Sequence, residues 1–156
     1  MPAGRSDDEE YTTFARRVEP RLSYAFAAIY GPDVGADVTA DALIWGWEHW
    51  DRLRNMDNPT GYLYRVGRSK ARSYRRRQGL FPQSSADHMP AVEPALPIGL
   101  AQLSKQQRAS VVLMHALGCT EREAAELLGL SRSTVRVHAQ RGLAKLREVM
   151  GVSTDA

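Results

Sequence analysis

The stretch LSKQQRASVVLMHALGCTEREAAELLGLSRSTVRVHAQRGLAKLR, residues 103–147, reads as three short helices, each with its own start and stop signal. Ser104 with Gln107 and Thr120 with Glu123 have capping-box spacing, in which a hydroxyl and a side-chain carbonyl three residues on satisfy amides that a first helical turn leaves unpaired. Gly118 and Gly129 follow apolar runs, where a residue free to take positive φ ends a helix without steric cost. Ser131 caps the third helix. In it Val135, Ala139, Gly142 or Leu143, and Leu146 recur at three and four and form a core face. Arg132, Ser133, Arg136, Val137, Gln140 and Arg141 then lie largely on the opposite side. The connection Gly129-Leu130-Ser131 is short enough to set the third helix steeply across the second, the dimensions of a helix-turn-helix. DNA is the first partner this pattern suggests, and an ordinary solvated surface helix is the alternative.

The charge is unevenly distributed. Residues 1–60 hold 6 Lys and Arg against 11 Asp and Glu, residues 61–78 hold 7 against none, and residues 79–156 hold 8 against 7. A basic stripe beside an acidic lobe implies one surface for nucleic acid and another for a protein partner, rather than a uniform polycation. The single cysteine, Cys119, excludes an intrachain disulfide and gives no sign of an oxidising compartment; its expected role is structural filler. The first residues are acidic, and no apolar run approaches the ~18 residues of a membrane span. A cytoplasmic protein without membrane insertion is expected.

Helix periodicity dominates the remainder, and no strand signal stands out. Tyr11, Phe14, Val18, Leu22, Phe26 and Ile29 mark an amphipathic helix, with Pro20 either kinking it or dividing it in two. A second helical stretch runs from about Asp33 to Leu53. Asn58-Pro59 fits an N-cap followed by proline at the first helical position, and Gly79 closes that third helix. Between Gly79 and Ile98 the periodicity stops, and four of the eight prolines (Pro82, Pro90, Pro94, Pro97) fall there. Such a segment belongs between domains rather than inside one. The expected fold is all-α: two small helical domains, residues 8–78 and 99–150, joined by a Pro-rich linker over 79–98.

Enzyme motifs are absent. His49, His88, His115 and His138 are scattered, and neither a glycine-rich phosphate loop nor a nucleophile elbow occurs, so neither a catalytic role nor a cofactor is expected. Trp45, Trp47 and Trp50 point in different directions at helical spacing and read as core and interface residues. Arg65, Arg68, Arg72, Arg75 and Arg76 share one broad helix face, with Lys70 nearby, and Tyr62, Tyr64 and Tyr74 are interleaved with them. Aromatic faces beside a positive groove suit unpaired bases better than plain duplex; a solvated basic helix is the equal alternative.

The order of these segments resembles a bacterial sigma factor of the sigma-70 family, of the extracytoplasmic-function (group 4) type. The similarity covers about residues 10–148. Leu103 to Arg108, Thr120 to Gly129 and Ser131 to Arg147 are similar to the domain that reads the minus-thirty-five promoter element. The resemblance implies duplex contacts by Arg132, Ser133, Thr134, Arg136, Val137, His138, Gln140 and Arg141. Asp37-Val38-Thr39 through Trp47 and then Tyr62 to Val66 resemble the polymerase-binding and minus-ten helices. They imply polymerase contacts by Asp37, Asp41, Leu43, Ile44, Trp47 and Glu48, and minus-ten contacts by Arg65, Arg68, Lys70, Arg72, Tyr74, Arg75 and Arg76, with flipped bases held near the loop from Arg54 to Thr60. RNA polymerase core, promoter DNA and an anti-sigma factor are the implied partners. The chain departs from the family pattern at Ala40, where Gln is usual, and at Ser69 and Ser73, where Asn and Asp are usual. The second domain alone also resembles the LuxR/GerE-type helix-turn-helix of regulators that do not initiate transcription. The first domain favours the sigma factor, because no alternating strand-helix pattern of a receiver domain precedes the reader. Limited proteolysis of the free protein is expected to cut first between Gly79 and Ile98, and first cuts within residues 33–50 would contradict this layout.

Overall fold

A computed structural model describes residues 4–77 and 93–151, and every regular element among them is helical. Helix α1 (Arg5–Tyr30) runs unbroken through Pro20, whose exposed position takes its missing N–H to the solvent side. Its inner face is Tyr11, Phe14, Val18, Leu22, Ala25 and Phe26, the three-four stripe that the sequence displays. That stripe packs along α2 (Pro32–Glu48), which starts with proline at its first position, after Gly31 at φ +86° has turned the chain back. The two helices approach closely at Gly35: a β-carbon there would lie 2.7 Å from the backbone nitrogen of Ala27.

The stretch read as one helix to Leu53 breaks at His49, whose N–H bonds the Trp45 carbonyl at 3.0 Å. A single turn, α3 (Trp50–Leu53), follows the break, and both Trp50 and Leu53 are buried in the core. Helix α4 (Pro59–Arg77) is capped as expected, with Asn58 Oδ1 accepting the Gly61 N–H at 2.9 Å. It buries Leu63, Tyr64 and Ala71, and Phe26 stacks on Tyr64 with ring centroids 5.6 Å apart. Burying a side chain the size of Leu63 or Phe26 contributes roughly 1.5–3 kcal/mol.

The C-terminal half begins with α5 (Ala95–Gln102), four residues inside the segment assigned to the linker. Pro94 and Pro97 do not prevent it, because one is the N-cap residue and the other lies in the first turn, where N–H groups have no helical partner. Residues 79–92 of that segment, including the closing Gly79, lie outside the described residues. Cuts expected in it therefore fall before Ala95. Helix α6 (Lys105–Val111) passes into a π-helical turn, Val112–Ala116, and is followed by α7 (Glu121–Leu128) and α8 (Arg132–Met150). Both capping boxes form, Ser131 accepts the Thr134 N–H, and Gly118 and Gly129 take φ +69° and +67°. The π-helical turn had no sequence signal. The two halves share one hydrophobic core: Leu100, Leu113, Leu117 and Val135 are continuous with Leu22, Phe26 and Leu63. Among the described residues no helix is long and apolar enough to cross a membrane.

Gly35→Ala tests the close approach of α1 and α2. Helix propensity alone would stabilise the variant by about 1 kcal/mol. Overpacking against backbone costs about 1–3 kcal/mol and should prevail. Urea denaturation is expected to show a lower midpoint than the parent, and a midpoint at or above it would show that the helices separate easily.

Candidate nucleic-acid interface

The last two helices carry the residues expected to contact duplex DNA. Leu130 N–H bonds the Ala125 carbonyl at 3.0 Å, which fixes the short turn from α7 into α8. Val135, Ala139, Gly142 and Leu146 are buried, and Arg132, Ser133, Arg136, Val137, Gln140 and Arg141 are exposed. Val137 stands 40% open to solvent, unusual for a large apolar residue and suited to contact with a base methyl group. Two other residues assigned to this face are less available. Thr134 Oγ1 lies 2.7 Å from Ser131 Oγ, inside the helix cap, and His138 is half-buried with an Nδ1 that has no protein partner.

Arg136 is already engaged. Its Nε and Nη2 donate to the Glu121 carboxylate at 3.0 and 2.8 Å, a two-pronged grip across the α7–α8 junction. Arg136 holds the Glu121 carboxyl below the usual carboxylate range. The pair is therefore complete above that range and is lost as pH falls through the lowered value. At an exposed site it orients the guanidinium more than it stabilises the fold. Glu121 had no local signal as a partner, because the arginine it holds is fifteen residues away across a turn.

On α4, Arg65 and Arg72 are exposed, Lys70 is half-buried, and Arg68 is half-buried at the edge nearest α6. The side chains of Arg75 and Arg76 lie outside the described residues. The three interleaved tyrosines separate. Tyr64 belongs to the core, where burial pushes its hydroxyl well above the ordinary tyrosine value, because residue 64 falls on the same helix face as Ala71. Tyr74 donates to Asp41, one of the residues assigned to polymerase contact. Tyr62 remains at the surface, between Trp45 at 5.4 Å and the guanidinium groups of Arg52 at 5.5 Å and Arg65 at 5.9 Å. His49 stacks on Trp45 at 4.1 Å and extends this platform. Sequence reasoning missed Trp45, His49 and Arg52 as its parts; the i, i+4 spacing of Trp45 and His49 was the available signal.

The loop after α3 is tied down by Arg54, which donates to Asp7 at 2.7 Å and lies 3.4 Å from Glu10 and 5.4 Å over the Trp50 ring. This hydrogen bond holds the Asp7 carboxyl below its ordinary range. Residues 55–58 with Tyr62 and Arg65 face Glu123, Glu126 and Leu127 of α7 across a cavity of about 370 Å³. Asn58 Nδ2 donates to the Cys119 sulfur at 3.2 Å, and a β-carbon on Gly61 would meet that sulfur at 2.8 Å. Burial, with Glu123 nearby, pushes the Cys119 thiol up to about 12, so it stays protonated and serves as packing.

On α2, Asp37, Ala40, Ile44, Trp47 and Glu48 form an exposed stripe. Ile44 is 56% and Trp47 37% exposed, whereas Leu43 packs against the core and its carbonyl accepts the Tyr11 hydroxyl. Of the assigned apolar anchors, Ile44 and Trp47 are the two on the surface.

Residues 99–146 match the family model for sigma-70, region 4. The chain matches that model over about a third of its length. Its overall fold is similar to that of the sigma factor RpoE, solved in complex with the anti-sigma factor NepR from Bartonella quintana. That likeness has a TM-score of 0.74 and 22% identity, and covers 93% of this chain and 99% of that one. It is also similar to CnrH, solved in complex with the cytosolic domain of CnrY, with a TM-score of 0.63, 24% identity, and coverage of 94% and 91%. Comparison with curated protein sequences returns no match.

Arg136→Ala with Arg141→Ala removes two exposed cations from α8 without touching its core face. Binding to a cognate duplex is expected to weaken by about 1–3 kcal/mol for each lost base contact, while each lost phosphate contact lowers the slope of log affinity against log salt by ~0.9. Circular dichroism should be unchanged. Parental affinity at matched salt would exclude α8 as the reader.

Proposed function

We propose that this protein is a sigma factor of the sigma-70 family that directs core RNA polymerase to promoters as a dissociable subunit without catalysing bond formation itself. The observation that carries the reading is the capped helix-turn-helix whose solvent face holds Arg132, Arg136, Gln140 and Arg141, inside the segment matching sigma-70 region 4. In this reading α8 enters the major groove of the minus-thirty-five element, where arginine pairs with guanine and Gln140 offers both a donor and an acceptor.

The Tyr62 platform and the cations of α4 would hold the melted minus-ten strand, bases on the aromatic faces and phosphates on Arg65, Arg68 and Arg72. Glu123 and Glu126 face that platform in the compact arrangement and would repel a phosphodiester chain, so strand capture requires α7 to move away. The stripe on α2 supplies the polymerase contact, with Ile44 and Trp47 as apolar anchors inside a rim of Asp37 and Glu48. RpoE was solved with the anti-sigma factor NepR and CnrH with the cytosolic domain of CnrY. A partner of the anti-sigma class fits the apolar groove of about 510 Å³ between α1, α5 and α8, walled by Tyr24, Leu96, Leu100, Leu143 and Leu146.

Purified core polymerase with this protein should transcribe from a cognate promoter, and Ile44→Glu should abolish holoenzyme formation on gel filtration. The residue is exposed, so the variant should fold and keep its duplex binding. A parent that binds DNA but not core polymerase at micromolar concentration would instead favour a non-initiating regulator.

A further inference from the structure

Glu121 stands in the first turn of α7, one residue after Thr120, whose hydroxyl accepts the Glu123 N–H at 3.1 Å while the Glu123 carboxylate accepts the Thr120 N–H at 3.2 Å. This capping box fixes the backbone from which the Glu121 side chain reaches across to α8. It meets Arg136 along one edge of the guanidinium: Nε lies 3.0 and 3.1 Å from the two carboxylate oxygens, and Nη2 lies 2.8 Å from the second. Among the described residues Nη1 donates to no protein acceptor. The Arg136 side chain is 54% exposed and that of Glu121 26%, so the carboxylate is the covered partner and the guanidinium the open one.

A guanidinium has a side edge, Nε with Nη2, and an end edge, Nη1 with Nη2. With the side edge taken by Glu121, α8 offers the end edge outward, two N–H donors that match O6 and N7 of guanine. The pair as a whole carries no net charge. A phosphate beside it gains little from counterion release and meets the like charge of Glu121, whereas a neutral base edge meets neither penalty. We propose that Glu121 is a positioning residue that sets base selectivity, turning Arg136 from a phosphate contact into a reader of guanine. This role rests on α8 being the duplex reader of the proposed function. Arg136 touches the base, and Glu121 acts through it.

The test uses the full chain and a duplex that the parent selects from a randomised pool. Each guanine of the selected site is replaced in turn by 7-deazaguanine, which lacks the N7 acceptor. The parent is expected to lose about tenfold in affinity at one guanine, and Arg136→Ala to show no loss there. Glu121→Ala should be as indifferent to that replacement as Arg136→Ala. Its log affinity should also fall more steeply with log salt, by ~0.9, because the arginine has moved onto phosphate. Glu121→Gln keeps an acceptor oxygen without the charge and should fall between parent and Glu121→Ala. The ion pair is exposed, so melting should stay close to the parent's, and a merely structural role would weaken binding to every base alike.

Glu121→Ala with the parent's dependence on guanine N7, or with an unchanged salt slope, overturns the role and leaves α8 as the reader. A parent indifferent to every replacement also overturns it. A parent that selects no sequence refutes both the reader and the role. A parent that selects a sequence yet supports no promoter-directed transcription with core polymerase refutes the initiating subunit alone and leaves the comparison of Glu121 variants standing.

Discussion

Phe26 lies against Tyr64, and a β-carbon on Gly67 would sit 2.3 Å from the tip of its ring. No other residue type leaves room for the ring at that distance. This contact holds α4 on α1 along one side, with Leu63 and Ala71 completing the buried face. Arg65, Arg68, Lys70 and Arg72 are thereby turned outward or toward α6. A helix rich in arginine would otherwise have little reason to adopt one orientation, since solvated charges are satisfied at any rotation. The apolar contact sets the rotation and the charges follow, so the platform at Tyr62 and the placement of Arg68 at the edge nearest α6 are both consequences of how one phenylalanine is seated.

The acidic and basic segments are used differently from a simple pairing of opposites. Asp7, Glu10 and Asp51 converge on Arg54, which settles the loop below the Tyr62 platform. Asp41 accepts from Tyr74. Asp37 and Glu48 remain at the surface beside Ile44 and Trp47. Part of the acidic lobe is thus internal bracing, and what remains for a partner is a narrower stripe than the charge count suggests.

The helix-turn-helix was legible because its determinants are local: a hydroxyl and a carbonyl three residues apart, a glycine at the end of an apolar run, a stripe at three and four. Each formed where the spacing put it, at Ser104, Thr120, Gly129 and Ser131. What escaped depends on distant segments. The Glu121 grip on Arg136 crosses a turn, Tyr64 looked like its neighbours until Phe26 claimed it, and Leu43 carries the same residue type as a surface anchor while packing inward. Prolines misled in a particular way. A cluster of them reads as extended chain, yet Pro94 and Pro97 sit where a helix start asks for no amide hydrogen, so α5 forms inside the expected linker. The shared core across both halves had no sequence signature at all, since apolar stripes do not declare which other stripe they face.

Among the described residues the seam between α4 and α7 is made of a thiol, a side-chain amide, a glycine set against Leu127, and an ion pair at 3.9 Å between exposed Arg122 and Asp57. Parting these groups strands no buried charge, and water can replace the one neutral hydrogen bond. Parting the halves altogether also uncovers the core they share, so a compact and an open form would differ mainly in buried apolar surface. A partner that holds only the open form needs a preference of about 10⁴-fold, about 5.5 kcal/mol, to carry the chain from one open molecule in a hundred to ninety-nine. A partner seated on the compact form draws on the same balance in the opposite direction, so two ligands that never touch become competitors through the shape they each require.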